Sequence, residues 1–221
     1  MKKLLIFLVL VLFSITTIVS AQGFGIKGGA NFGKFVGDDT DQLSNLYGFE
    51  FDEKYNFGYG GGVFLSLPID PLNIRVEALY QQNGAKYIYE EQGVEVSYAI
   101  QLNWVDIPIL FGIKLGPVRV FAGPYFDYFL GGKYKIETTN GDQSEDGEED
   151  IEADDLRSIN YGIIGGAALG VGGMELEVRY SQGLVTLNEE PDDWDASYGK
   201  YEETDFKPSM IQAFLNIYLG K

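Results

Sequence analysis

The sequence predicts an all-β fold, an eight-stranded antiparallel up-and-down transmembrane β-barrel, and three observations predict it. Residues 102–130, LNWVDIPILFGIKLGPVRVFAGPYFDYFL, place Val105, Ile107, Ile109, Phe111, Ile113 and Leu115 on one parity, then Val118, Val120, Ala122, Pro124, Phe126, Tyr128 and Leu130. Gly116-Pro117 separates the two runs, so period-two alternation and a tight reversal give a β-hairpin. Across all eight predicted strands, the apolar parity carries no charge and no Ser, Thr, Asn or Gln. Finally, short turns at 68–71, 116–117 and 170–173 alternate with four longer connections, the layout of a meander with one short-looped rim.

The chain begins with Lys2 and Lys3, an apolar run from 4 to 19, and the small-residue site Val19-Ser20-Ala21, so residues 1–21 read as a cleaved signal peptide. The mature chain, 22–221, fits a single domain. It contains no Cys, hence no disulfides, no thiol chemistry and no lipoprotein attachment. No later apolar segment is long enough for a membrane helix, which leaves an exported chain as either soluble or a barrel. The formal charge of -17 becomes -19 without Lys2 and Lys3, which argues against nucleic acid or an anionic lipid surface as partner. With 29 Gly, 15 Tyr and 15 Phe, the composition favours strands and tight turns.

The first strand, 24–32, alternates Phe24, Ile26, Gly28, Ala30 and Phe32 with Lys27 and Asn31, and a polar loop follows over about 33–55. Residues 57–67 and 72–80 form the next pair, the second carrying Arg75 and Glu77 on its polar parity. Residues 86–100 read as an extension of that strand, a reversal near Glu91-Gln92-Gly93, and a return into the hairpin described first. A long acidic loop is expected over 131–158. Strands at 161–169 and 174–180 follow, then a second acidic loop over 188–206 and a last strand at 211–219. Pro108 and Pro124 each remove a ladder hydrogen bond from a closed barrel, so a bulge is expected near both.

A soluble sandwich also has one apolar and one polar face, so orientation needs further observations. Phe57, Tyr59, Tyr80, Tyr128, Tyr161 and Tyr180 lie on the apolar parity at the long-loop ends of their strands, where an interfacial girdle belongs. The polar parity is rich in glycine, including Gly58, Gly62, Gly123 and Gly166, which suits a crowded lumen. Its charges also balance: Lys27, Arg75, Lys114, Arg119 and Arg179 against Glu77, Asp106, Asp127, Glu175 and Glu177. These ten are the expected lumenal ion-pair network, and outer-membrane lipid is the expected surrounding.

The segments NWVDIPILFGIKLG, VRVFAGPYFDYFL, INYGIIGGAALG and MELEVRYSQGLVTL, after the opening FGIKGGANF, resemble the PorT-like outer-membrane β-barrel family of Bacteroidetes. The resemblance covers nearly the whole mature chain and rests on strand patterns, which are specific for architecture and weak for activity. It implies a place in the outer membrane and, for some members, an accessory part in protein secretion and gliding. The sequence departs from the general outer-membrane signal in closing on Tyr218-Leu219-Gly220-Lys221 instead of an aromatic residue.

With no His and no Cys, the common general base, the Ser-His and Cys-His nucleophile pairs and the zinc-ligand set are all missing. Glu175 with Glu177, or Asp127, could serve as acid/base carboxylates, yet alternate strand residues beside three arginines read more simply as ion-paired filling of a narrow interior. In the first acidic loop, Asp142-x-Ser144-x-Asp146-Gly147 is similar to the start of an EF-hand, but Ala153 stands at the twelfth position in place of Glu. A solvated acidic loop is therefore the preferred reading and no cofactor is expected. Trp194, Tyr198 and Tyr201 in the second acidic loop offer a partner something to grip, or anchor at the rim. The function expected is a non-enzymatic structural or interaction protein of the cell envelope, with a possible partner in an envelope or secretion complex. The alternatives are a narrow or gated transport pore and, with the catalytic His missing, an outer-membrane hydrolase.

Overall fold

The computed structural model describes residues 23–36, 52–69, 71–91, 94–140, 143–151, 157–187 and 207–220. The expected signal peptide, most of the first long loop (37–51) and the second acidic loop (188–206) with its aromatics lie outside the described residues. Nine strands follow one another: β1 Gly23–Val36, β2 Asp52–Ile69, β3 Leu72–Glu91, β4 Val94–Leu115, β5 Val118–Asn140, β6 Gln143–Ile151, β7 Ile159–Val171, β8 Met174–Gly183 and β9 Lys207–Tyr218.

All pairings are antiparallel: each strand pairs with the next except β6, after which β7 returns to β5, and β1 also pairs with β9 from Gly25↔Tyr218 to Val36↔Lys207. With β5 bonded to β4 on one side and β7 on the other, eight strands close into a ring that leaves no edge. The ring is turned at one rim by the two-residue reversals Gly116-Pro117 and Gly172-Gly173. Gly116 at φ 66°, Gly172 at φ 61° and Gly173 at φ 92° are where a left-handed backbone is needed.

The ninth strand corrects an expectation. The acidic insertion, read as a loop over 131–158, is a β-hairpin for much of its length: β5 runs on to Asn140 and β6 returns from Gln143↔Asn140 to Ile151↔Gly132. The alternation of β5 continues through Tyr134 and Ile136, and Lys133 and Lys135 meet Glu148, so cross-strand pairing outweighs the polarity that marks coil. β3 and β4 also continue past the ring, pairing from Ala85↔Ile100 to Glu91↔Val94. Together β3, β4, β5 and β6 form a sheet standing beyond the long-looped rim.

The prolines do not bulge the ladder. Between β4 and β5 the pairing lapses after Pro108↔Tyr125 and resumes at Phe111↔Ala122 in the same register, and Pro124↔Ile163 is unbroken on the other side. Losing an N–H removes a bond without adding a residue, so nothing forces a shift. The register shifts lie elsewhere, between Tyr55 and Gly60 on β2 and between Asn103 and Trp104 on β4.

Orientation follows from which parity is buried. Ile107, Phe111 and Ile113 of β4, Val120 and Phe126 of β5, and Leu176 and Val178 of β8 are exposed on the outside of the ring. Lys27, Arg75, Glu77, Arg119, Glu177 and Arg179 are buried within it. Each outward side chain leaves roughly 1.5–3 kcal/mol unrealised in water, and a lipid surround recovers it. The wall is therefore built for a membrane, with a polar interior.

Candidate functional site

The lumen is where the chain concentrates its chemistry. A two-residue repeat sets successive inward side chains about 6.8 Å apart along a strand, so Arg75 and Glu77 on β3 face Glu175, Glu177 and Arg179 on β8 across a bore that Lys27 and Arg119 enter from β1 and β5. Lys27 Nζ lies 2.9 Å from Glu77 and 2.8 Å from Glu177. Arg75 donates to Glu175 at 2.6 Å and to Glu177 at 3.3 Å. Arg119 reaches the same two carboxylates at 3.3 and 3.2 Å. Arg179 donates to Glu77 at 2.8 Å and approaches Asp106 at 3.5 Å.

Glu177 is the hub. It is fully buried, with ion pairs to Lys27, Arg75, Arg119 and Arg179 and a hydrogen bond of 3.0 Å from Asn216. A carboxylate so enclosed has no path for a substrate or an activated water, which removes the acid/base role that spacing alone allowed Glu177, while Glu175 is held by Arg75 and Arg119 at the edge of a cavity at the turn rim. Asp127 accepts from Asn160 at 3.2 Å and stands directly opposite Asp106 on the β4–β5 ladder.

Of the ten expected network residues, two make no ion pair among the described residues: Asp127 is buried but held by Asn160 instead, and Lys114 stands apart altogether. It is exposed at the turn rim, two residues before Gly116, and makes none of the buried ion pairs. It occupies the polar parity, but at the end of β4, where that parity opens to solvent. The expectation that it belongs to the buried network is therefore corrected.

The network also holds residues that sequence reading passed over. Gln212 accepts from Arg179 at 2.6 Å and donates to Gln81, which in turn bonds Asp106. Arg75 stacks 4.4 Å from the Phe64 ring centre, Arg119 4.5 Å from that of Phe121, and Arg179 4.7 Å from that of Phe214. These rings cap the guanidinium planes and fill the bore. All of them share the inward parity with the charges, which is the signal that locates them.

Two apolar clusters complete the packing. Leu110, Phe121, Tyr125, Ile164 and Ala168 line the β4–β5–β7 side, while Phe35, Ala85, Leu102, Trp104, Phe129 and Leu187 close the end nearest the long connections. Trp104 and Phe129 have ring centres 4.9 Å apart, and Trp104 Nε1 donates to Asn83 at 3.1 Å. Glycines make room: a Cβ on Gly166 would lie 2.5 Å from the Val178 carbonyl oxygen, 2.7 Å from Arg179 Cβ and 2.8 Å from the Phe121 ring.

The six expected girdle aromatics, Phe57, Tyr59, Tyr80, Tyr128, Tyr161 and Tyr180, are all exposed on the outer wall. Tyr80 donates to Asn103 at 2.7 Å, and Tyr180 to Gln182 at 2.7 Å, so their hydroxyls have partners where the apolar wall ends. Of the two calcium candidates, Asp142 lies outside the described residues, and Asp146 sits in β6 opposite Glu137. Among the described residues no three acidic side chains converge as a metal site.

Comparison with known proteins bears on the same wall. The family described as outer membrane protein beta-barrel domain matches over residues 20–188. No curated protein matches the chain. Among solved structures, Neisserial surface protein A is similar at 13% identity with a TM-score of 0.46, covering 89% of this chain and 97% of its own. Ail, the attachment invasion locus protein of Yersinia pestis, is similar at 10% identity with a TM-score of 0.40 over 89% and 97%.

Proposed function

Because the chain belongs to the outer membrane protein β-barrel domain family and so lies in the outer membrane, we propose that it is a non-enzymatic barrel that holds the β3–β6 sheet outside the membrane for contact with an envelope partner. One observation carries the reading: the bore is closed twice, by the Glu177-centred ion network and by the Trp104–Phe129 cluster. An eight-stranded ring has just the width that side chains can fill. A packed lumen favours rigidity over passage, and among the described residues the sheet beyond the rim supports recognition.

The test is electrical. Purified barrel in planar bilayers gives no stable conducting steps on this reading; reproducible channels at neutral pH would replace it with the narrow or gated pore. The resemblance to PorT-like barrels extends the proposal to an accessory part in protein secretion. A deletion strain with unimpaired secretion and motility would remove that extension and leave the barrel reading standing.

A further inference from the structure

Across the bore, Leu79, Asp106, Asp127 and Asn160 stand in one row, each directly opposite the next on the β3–β4, β4–β5 and β5–β7 ladders. All four are buried, and Trp104 and Phe129, two residues along from the aspartates, close the long-looped side. Direct partners on one face of a ladder have Cβ atoms about 4.5–5.5 Å apart. The two carboxyl groups lie within hydrogen-bonding reach of each other.

Charge and hydrogen bonding each leave something over in this row. The bore buries four cations, Lys27, Arg75, Arg119 and Arg179, and five carboxyl groups, those of Glu77, Asp106, Asp127, Glu175 and Glu177. Glu77, Glu175, Glu177 and Asp106 each make an ion pair with at least one of these cations, so Asp127 is the carboxyl without a counter-charge. Asp106 Oδ2 accepts from Gln81 of β3 and Arg179 of β8, whereas its Oδ1 is buried with no hydrogen-bond partner among the described residues. Asp127 accepts from Asn160 of β7 through Oδ2, which leaves Oδ1 to carry a hydrogen. The other polar groups that face the pair are Glu77 of β3, the Tyr125 hydroxyl of β5 and, through Gln81, Gln212 of β9. None of them brings a further positive charge.

We infer that Asp106 and Asp127 form one proton-binding site, in which a single proton resides on Asp127 and is donated to Oδ1 of Asp106. Two carboxylates this close in a site shielded from water do not both ionise. One proton gives the orphaned oxygen its partner and brings the bore to four charges of each sign. Asp106 keeps the negative charge because Arg179 and Gln81 face it. The proton also completes a side-chain chain of hydrogen bonds from Gln81 on β3 to Asn160 on β7. An unfolded chain does not hold it at neutral pH, since an ordinary Asp carboxyl ionises near ~3.9. Folding therefore takes up one proton, and that uptake becomes harder as pH rises.

Proton linkage tests the inference on the full mature barrel in lipid vesicles. Urea unfolding of the wild type and of Asp127→Asn is compared between about pH 5 and about pH 8, so that the other titrating groups cancel in the ratio of the two unfolding constants. The ratio is expected to move against the wild type by about tenfold per pH unit until the folded pair releases its proton. A ratio that stays constant with pH overturns the inference. Infrared spectra give a second reading, on variants shown to be folded by the heat-modifiable gel shift. The carbonyl band of a protonated carboxyl is expected in the wild type at neutral pH and is expected to vanish in both Asp127→Asn and Asp106→Asn, each of which leaves four carboxylates for four cations. Absence of the band from the wild type, or its survival in Asp106→Asn, refutes the shared proton. A buried sodium ion would balance the same charge, so a barrel that lacks the band and loses stability when N-methylglucamine replaces sodium assigns the site to that cation and overturns the proton.

Discussion

Asp106 and Asp127 face each other across β4 and β5, both buried in the bore, and only Asp106 approaches a cation, Arg179 at 3.5 Å. Two like charges opposed on a ladder oppose folding by ~0.2–1 kcal/mol or more when shielded from water. Asp127→Asn is therefore expected to raise the temperature at which the barrel loses its heat-modifiable gel mobility, since an amide oxygen still accepts from Asn160. Asp106→Asn, which strips a carboxylate from Arg179 and Gln81, is expected to lower it. Equal effects of the two substitutions would contradict the asymmetry.

Glu177 bridges four cations, so Glu177→Gln leaves buried positive charge without its partner. The expected loss is about 3–5 kcal/mol, read from urea unfolding of the barrel in lipid vesicles. On the same strand, outward Val178→Ala should cost only what a lipid-facing methyl pair contributes, whereas Val178→Arg should cost about 2–4 kcal/mol if it lies near the bilayer midplane.

Gly166 leaves space that Arg179 and Phe121 use. Gly166→Ala would press on the Val178 carbonyl, Arg179 Cβ and the tip of the Phe121 ring, at an expected cost of about 1–3 kcal/mol, and the ring's share of that cost should couple with Phe121→Leu in a double-mutant cycle. Additive effects would mean that the glycine serves backbone geometry instead of side-chain room.

Beyond the rim, the ammonium of Lys133 hydrogen-bonds Glu148 and holds that carboxyl below the usual range, while the same bond raises Lys133. A carboxyl depressed on folding supports the β5–β6 hairpin above its ordinary pKa and loses that support as pH falls through the folded value. A raised lysine supports it below its ordinary pKa and fails as pH rises through the folded one. Carboxyl carbon NMR should place the Glu148 midpoint below ~4.3, and Lys133→Ala should return it there. Both groups are solvent-exposed, so the shift should shrink in high salt.

The sequence alone determined the strands, their closure into one barrel and the side that faces lipid. Each of these rests on a period-two pattern, and a one-residue error of register would put Arg75, Glu77, Glu177 and Arg179 into hydrocarbon. It also placed Phe57, Tyr59 and the other girdle aromatics on the outer parity, because parity is a local property. It did not reveal that the acidic segment after Leu130 folds as a hairpin, because lysines and glutamates pair only when β5 and β6 lie side by side. Nor did it separate Lys114 from the buried network: parity says which way a side chain points, but not where along the barrel axis the packed lumen ends. Which carboxylate meets which cation depended on residues far apart in the chain: Lys27 pairs with Glu77, 50 positions on, and with Glu177, 150 positions on. Only closure of the ring brings them within 3 Å, so only the tertiary structure decided them.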